Sequence, residues 1–353
     1  MYSGTGTAIF DWISFAKDRY EFTMLMDIYD TQNFLIAADF CRANGIEIVS
    51  SASGLLPGCI DSAPVEIAPV LKREPFSIVE TVSWANAATN TYLLSALQPA
   101  HVVVYTPHAQ PGWTAGNPVS SPSIRHVFER MLLRSNAVFL DSFAERKLEF
   151  FSDPEAEKLH VVPLGVDVRK FKSDDRNDGL TILSVCDCRE PRKRVDLLLA
   201  GFARAYALYP DLRLILAGKG SDEVEIPERA RDGVRTLGYV TEGRLSELYR
   251  EASTFMLMSD YEAFGLPIAE ALCSGSQVLL NRQEVTQELF GDLEGVFFTD
   301  NRDPETVAVD LLRITREPAS RSLVSSAAAK RFSFEATYGR KAAIVDKILA
   351  ARG

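Results

Sequence analysis

Two acids, Glu262 and Glu270, flank a run that reads Ala263, Phe264, Gly265, Leu266 and Pro267. An apolar stretch at 255–258 precedes it and reads as a buried strand. Pro267 suits the first position of a helix, where its missing N–H costs nothing, and Gly265 lets the backbone approach a ligand closely. The free N–H groups of such a helix start form a cradle for an anion such as a diphosphate. Glu270 is then expected in the first turn, facing the same space, where a carboxylate accepts from both hydroxyls of a vicinal diol such as a ribose. Glu262, ahead of the helix, is placed to meet a sugar hydroxyl or a developing positive charge. Singly, each acid would read as a helix-dipole partner or a solvated loop acid. Strand, glycine and proline in that order point instead to a ligand-binding helix mouth.

A second cluster follows the strand-like run at 182–185, where Arg189, Arg192, Lys193 and Arg194 supply local positive potential for a phosphate. Asp187 in the same loop opposes it, and a solvated charge run is the plain alternative for Arg192 and Arg194. His108 closes the strand-like run at 102–105, at the edge where open α/β sheets bind ligands. A lone histidine is commonly structural, but this one stands where the fold puts its ligands. The five cysteines, Cys41, Cys59, Cys186, Cys188 and Cys273, are scattered and odd in number, which suits reduced thiols. No second Cys/His pair follows Cys186 and Cys188 at a zinc spacing, and no Asp-x-Asp pair stands at a strand end, so no metal is expected.

These residues need a scaffold, and short β-branched runs alternating with helical periods supply one of class α/β, with parallel sheets flanked by helices. Strands are predicted at 22–26, 46–49, 77–79, 102–105, 138–140 and 160–162, then at 182–185, 212–217, 236–239, 255–258, 277–280 and 296–298. Helices are predicted at 33–43 and 123–134. After residue 194, Val195, Leu198, Leu199, Phe202, Tyr206 and Tyr209 fall on one helical face that ends before Pro210. Polar residues 172–179 read as a linker. With 353 residues, the chain reads as two Rossmann-like doubly wound domains, 1–172 and 173–332, whose strand ends face a shared cleft.

Composition narrows the partners. A formal charge of −10 and a pI near 5.1 argue against nucleic acid. No apolar run is long enough to span a bilayer and no basic, hydrophobic leader opens the chain, which predicts a cytoplasmic protein. Ile124, Val127, Phe128 and Met131 beside Arg125, Arg130 and Arg134 allow a weak peripheral contact at the inner face of a membrane, with an ordinary core face as the stronger reading.

The segment 262–270 resembles the E-x7-E motif of retaining GT-B glycosyltransferases, most closely glycosyltransferase family 4 (glycosyl transferases group 1). Other stretches agree in order. Val162, Pro163, Leu164, Gly165, Val166 and Asp167, followed by Phe171, resemble the family's interdomain strand and turn. Ala217, Gly218, Lys219 and Gly220 resemble its glycine turn, and Leu237, Gly238, Tyr239 and Val240 the strand whose following loop flanks the base. Glu288 matches the acid that closes the next helix start. Gly4 and Gly6, among Ser3, Thr5 and Thr7, resemble a glycine loop that faces donor phosphate and acceptor and opens a helix at 8–17. No strand precedes that loop, so the first strand of the sheet is expected to be missing.

The resemblance implies a metal-independent, cofactor-free hexosyltransferase. It would move a hexose from a nucleoside-diphosphate sugar, a UDP-sugar such as UDP-glucose, to a hydroxyl of a carbohydrate or lipid-linked acceptor. In this reading Lys193 and the amides near Gly265 and Leu266 stabilise the leaving diphosphate. His108 and Glu262 position the sugar, and Glu270 holds the ribose. Arg189, Gly218, Tyr239, Val240, Ala263 and Phe264 complete the donor site. Asp187 falls where the family has an arginine, so Arg189 is expected to reach in by a shifted loop or the phosphate to be held differently. A final helix at 334–349, within 333–353, would pack back toward the N-terminal domain. A nucleotide-sugar 2-epimerase and a non-catalytic nucleotide-sugar binder are the alternatives.

Overall fold

The computed structural model describes residues 4–27, 31–51, 69, 71–72, 77–82, 87–108, 122–147, 157–173, 179–300 and 303–351. In the N-terminal half the described elements are α1 (Gly4–Ala16), β1 (Thr23–Asp27), α2 (Thr31–Asn44), β2 (Glu47–Ser51), β3 (Ile78–Val82), α3 (Ala87–Ala96), β4 (Val102–Thr106), α4 (Pro122–Arg134), β5 (Ala137–Leu140), α5 (Phe143–Arg146) and β6 (Leu159–Val161). The C-terminal half continues with β7 (Thr181–Val185), α6 (Val195–Leu208), β8 (Arg213–Ala217), β9 (Val234–Thr236), α7 (Glu242–Glu251), β10 (Thr254–Leu257), α8 (Leu266–Cys273), β11 (Gln277–Asn281), α9 (Glu284–Phe290), β12 (Val296–Thr299), α10 (Pro304–Arg316), α11 (Arg321–Phe332) and α12 (Phe334–Ala350).

Every strand pairing among the described residues is parallel. The C-terminal sheet runs β12-β11-β10-β7-β8-β9, so the strand order reverses between β7 and β10. Loops leaving the carboxyl ends of those two neighbours diverge and open a crevice, the usual ligand position of a doubly wound sheet. The N-terminal half contributes a four-stranded sheet, β3-β4-β5-β6, and a separate pair, β1-β2. Both faces of the large sheet are covered, which is why β10 and β11 are buried along their whole length.

Three expectations shift. The strand predicted at 236–239 is Val234–Thr236, because Gly238 turns the chain at φ +61°. Its N–H donates to Ser221 Oγ at 2.9 Å and its carbonyl accepts from Gly218 N–H at 2.8 Å, which diverts it from a ladder. Helix α1 begins at Gly4 and not at residue 8, so Gly4 and Gly6 lie inside a helix and form no loop there. Helix α6 is buried more widely than a single face: Gly201 approaches Val307 of α10 so closely that an added Cβ would lie 2.4 Å from its Cγ1. Ser3, Cys59 and linker positions 174–178 lie outside the described residues.

The last helix ties the halves together. Phe334, Tyr338 and Ala342 pack on Trp12 and Ala16 of α1, while Val345 joins Val102, Val104, Ala137, Phe139 and Val162. Lys341 pairs with Glu80 of β3, which also accepts from Trp12 Nε1 at 3.0 Å, and its ammonium sits 4.5 Å from the Trp12 ring centre. The chain passes close beneath this helix at Gly165, where an added Cβ would meet Thr337 Oγ1 at 2.6 Å. Val166 N–H then donates to Phe332 O at 2.7 Å. The apolar side of α4 is core: Phe128 and Met131 pack with Val103, Tyr105 and Val138, and Arg134 donates to the carbonyls of Gln98 and His101. No helix among the described residues is long and apolar enough to cross a membrane.

Candidate functional site

The crevice between β7 and β10 gathers most of the singled-out residues. Helix α8 starts at Leu266, with Gly265 as its cap in the left-handed region at φ +96° and Pro267 as its second residue, not its first. A side chain on Gly265 would press on Ile268 Cδ1 at 2.7 Å, so the tight entry needs glycine here. Pro267 has no N–H and the Ile268 and Ala269 N–H groups donate to Gly265 O, which leaves the amides of Gly265 and Leu266 at the positive end of the helix dipole to face a ligand. Phe264 points away from the crevice into a trio with Phe290 and Phe332, centroids 5.8 and 5.7 Å away, so only its backbone is available to a ligand. The trio anchors the loop that presents Ala263 and Gly265.

Glu262 is almost wholly buried and is held from three directions. Lys193 Nζ lies 2.7 Å from its Oε1, Arg192 Nη1 lies 3.6 Å from its Oε2, and its N–H donates to Gln283 Oε1 at 2.7 Å. Burial alone would push this carboxyl up, but the two cations outweigh it and hold it below its ordinary value. Lys193 reaches this position because the loop after β7 makes a short 3-10 turn at Pro191–Lys193. Arg194 then takes the left-handed conformation, φ +47°, and launches α6.

Glu270 sits one turn deeper than expected. It is the fifth residue of α8, buried, outside the first turn. Burial first, and then the negative charges of Asp11 and Glu242, raise its pKa from 4.5 to about 8. At neutral pH the group is therefore protonated, able to donate one hydrogen bond and accept others. Asp11 of α1 is raised to about 7, again by burial above all, with Lys170 opposing. Lys170 itself pairs with Glu242 at 2.7 Å. Acids from α1, α7 and α8 thus converge around one lysine on this side of the cleft.

Asp187 and Arg189 answer each other. Arg189 Nε and Nη2 reach the two oxygens of Asp187 at 3.0 and 2.9 Å, and that fork is the main cause of the lowered Asp187 pKa. Asp187 is thus no bare negative charge beside a phosphate, and Arg189 is committed to it, its stem lying over Gly220. Gly218, at φ +119°, approaches Cys186 so closely that an added Cβ would lie 2.0 Å from its carbonyl oxygen. Tyr239 is half-exposed beside this turn and Val240 is buried.

His108 comes from the other sheet. It is buried, with φ +50°, and its Nδ1 lies 2.7 Å from Asp141 Oδ2. Glu288 spans the halves: its two oxygens accept from the Phe143 and Ala144 N–H groups at 2.7 Å each, while Lys147 pairs with Glu284 at 2.5 Å. Glu288 therefore closes a helix start, but one in the opposite half. Gln283, which caps α9, holds the Glu262 backbone, so a single short helix touches both the acid and α5. Sequence reasoning missed Asp141, Gln283 and Asp11. Asp141 was findable by the rule that picked out His108, since it follows the next strand at the same sheet edge.

Residues 167–331 match the family model of glycosyl transferases group 1. The chain is 36% identical over 160 residues to O-antigen chain mannosyltransferase B of Escherichia coli, which covers 41% of this chain and 40% of the relative. It is 27% identical over 179 residues to phosphatidyl-myo-inositol mannosyltransferase of Mycolicibacterium smegmatis, covering 48% and 46%. The matches thus span under half the length of these relatives. In fold, it superposes on Anabaena HepE, crystallised with UDP and glucose, at a TM-score of 0.76 and 16% identity over 98% of this chain and 96% of that one. Sucrose-phosphate synthase of Thermosynechococcus elongatus gives 0.74 and 17%, over 98% and 92%. The architecture is therefore GT-B, two α/β halves around a cleft, and residues 167–331 carry the similarity to glycosyl transferases group 1.

Proposed function

We propose that the chain is a retaining hexosyltransferase that transfers a hexose from a nucleoside-diphosphate sugar to a hydroxyl of a carbohydrate or lipid-linked acceptor in glycoconjugate synthesis. One observation carries the reading: buried Glu262, paired with the half-buried Lys193, lies beside the Gly265 helix mouth, where the C-terminal sheet reverses its strand order. A diphosphate seated on those amides would draw Lys193 toward its oxygens and leave Glu262 for a sugar hydroxyl. Glu270, protonated at neutral pH, suits the ribose as donor and acceptor at once, and exposed Tyr239 suits the base. His108 approaches the sugar from the other half. As the glycosidic bond breaks, negative charge grows on the leaving phosphate, where the α8 dipole points and to which Lys193 is drawn. The same phosphate oxygen takes the acceptor's proton as the acceptor attacks from the face the diphosphate leaves, so configuration is kept. No residue among those described is assigned a metal-dependent part in this scheme.

A UDP-sugar such as UDP-glucose is the donor we favour, on the likeness to HepE in its UDP complex. The mannosyltransferase names of the relatives favour a mannosyl donor as the second reading. The Asp187–Arg189 fork weakens the case for a non-catalytic binder, since it removes the repulsion that suggested one. Thermal shift with UDP, GDP, ADP and their common sugars tests the proposal, because a ligand bound only by the native form raises Tm. Donor turnover with and without acceptor then separates transferase from binder, and product analysis with UDP-GlcNAc alone separates it from an epimerase. No shift with any nucleotide would overturn the reading.

A further inference from the structure

Strands β4 and β5 are parallel neighbours, in register at Val104 with Ala137 and Tyr105 with Val138, so the residues that follow them emerge at one sheet edge. His108 and Asp141 are those residues. Their side chains meet at 2.7 Å, Nδ1 to Oδ2, with His108 8% and Asp141 1% exposed. Holding the ring there requires a left-handed backbone, φ +50°, which a non-glycine residue adopts only at a cost of about 1 kcal/mol or more. It also leaves Asp141 Oδ1 buried without a partner among the described residues, a further cost. Asp141 is fixed on its other side: its N–H donates to Glu145 Oε2 at 2.6 Å, and Ser142 caps α5, whose amides are gripped by Glu288 from the opposite half. Strain and an orphaned oxygen are thus spent on one imidazole.

We propose that Asp141 is a positioning residue for sugar transfer. Its carboxylate accepts the Nδ1 proton of His108, fixing the ring's tautomer and rotation and leaving Nε2 as the atom that meets a donor-sugar hydroxyl. The role rests on the reading of the cleft as a sugar-nucleotide site. A carboxylate only accepts hydrogen bonds, so the ring donates from Nδ1. An asparagine of the same shape would offer its amide N–H instead and invite the other tautomer.

The test is two measurements on the full chain at one pH. In protein labelled with ¹⁵N-histidine, which has four histidines, His108 is assigned by the signals lost in His108→Gln. Nδ1 should carry the proton in the wild type, and Asp141→Asn should move it to Nε2 while Asp141→Glu restores it. With UDP-glucose as the probe, Asp141→Asn should lower kcat about 10²-fold with donor KM within twofold and UDP thermal shift retained; Asp141→Glu should recover part of kcat. A wild-type His108 protonated only at Nε2 overturns the proposal without need of any variant that folds. So does a folded Asp141→Asn with unchanged kcat. A wild-type chain that neither binds UDP nor turns over donor overturns the cleft reading and this role with it, whereas normal UDP binding with full turnover in Asp141→Asn overturns this role alone.

Discussion

In the C-terminal half, six parallel strands share one continuous core, which Ala144 of α5 joins from the other half. In the N-terminal half the described strands fall into sheets of four and two, and the apolar clusters among the described residues are smaller. The polar machinery divides the same way. The C-terminal crevice holds opposed charges in a network, Lys193 and Arg192 on Glu262 and Arg189 on Asp187, each fixed by the loop that carries it. The N-terminal half offers the His108–Asp141 pair, whose surroundings lean on elements from beyond it, Glu288 and α12. In the proposed function the C-terminal network would hold the nucleotide-sugar, and the His108–Asp141 pair would add a contact from the opposite half.

Perturbing the charged platform should have the largest effect. Glu262→Ala removes the group assigned to the sugar and frees Lys193, so turnover should fall by about 10²–10³-fold with nucleotide affinity much less changed; steady-state kinetics beside calorimetry would show it, and the reverse pattern would undo the assignment. Lys341→Met strikes the dependence of the N-terminal half on α12. Stranding Glu80 beneath Trp12 should cost about 2–3 kcal/mol, read as a lowered denaturation midpoint with the slope unchanged. An unaltered midpoint would mean the two halves are less coupled than their contacts suggest.

Glu270→Ala should weaken binding of UDP about tenfold or more by calorimetry. The same residue gives a pH signature. Its folded pKa, about 8, lies above its unfolded value near 4.5, so the native state holds a proton the unfolded chain releases. Its contribution to stability is therefore full below about pH 4.5 and is lost as pH rises through about 8. Asp11, at about 7, adds the same sign over a narrower window. Unliganded Tm should fall between pH 5 and 8, and Glu270→Gln should flatten that slope. The smallest effect is expected at exposed Tyr239, where replacement by Ala should weaken nucleotide binding by about 1 kcal/mol if the ring covers a base.

Much of the C-terminal half could be read from the chain because its signals are local. Strand β10 is an apolar run, Gly265 and Pro267 mark a helix start, and a basic cluster at 189–194 follows a strand, from which the family resemblance picks out Lys193. The sequence misjudged what depends on turns. Gly238 bends the chain where four residues in a row looked like strand, and Glu270 drifted from the first turn to the second because α8 begins one residue earlier than its proline suggested. Gly4 and Gly6 looked like a loop because glycine is a poor helix former, yet it weakens a helix by only about 1 kcal/mol, a deficit that packing of α1 on α12 offsets.

Class and strand order along the chain could be read from residue type and spacing, since hydrophobic periodicity and helix-start chemistry act over a few positions. Which charge faces which was settled only in three dimensions. Asp187 is neutralised by Arg189 two residues on, Glu288 reaches across to α5, and Asp141 meets His108 33 positions away. Coulomb and hydrogen-bond energies depend on distances of a few ångströms and on burial, and neither is written in the spacing of letters along a chain.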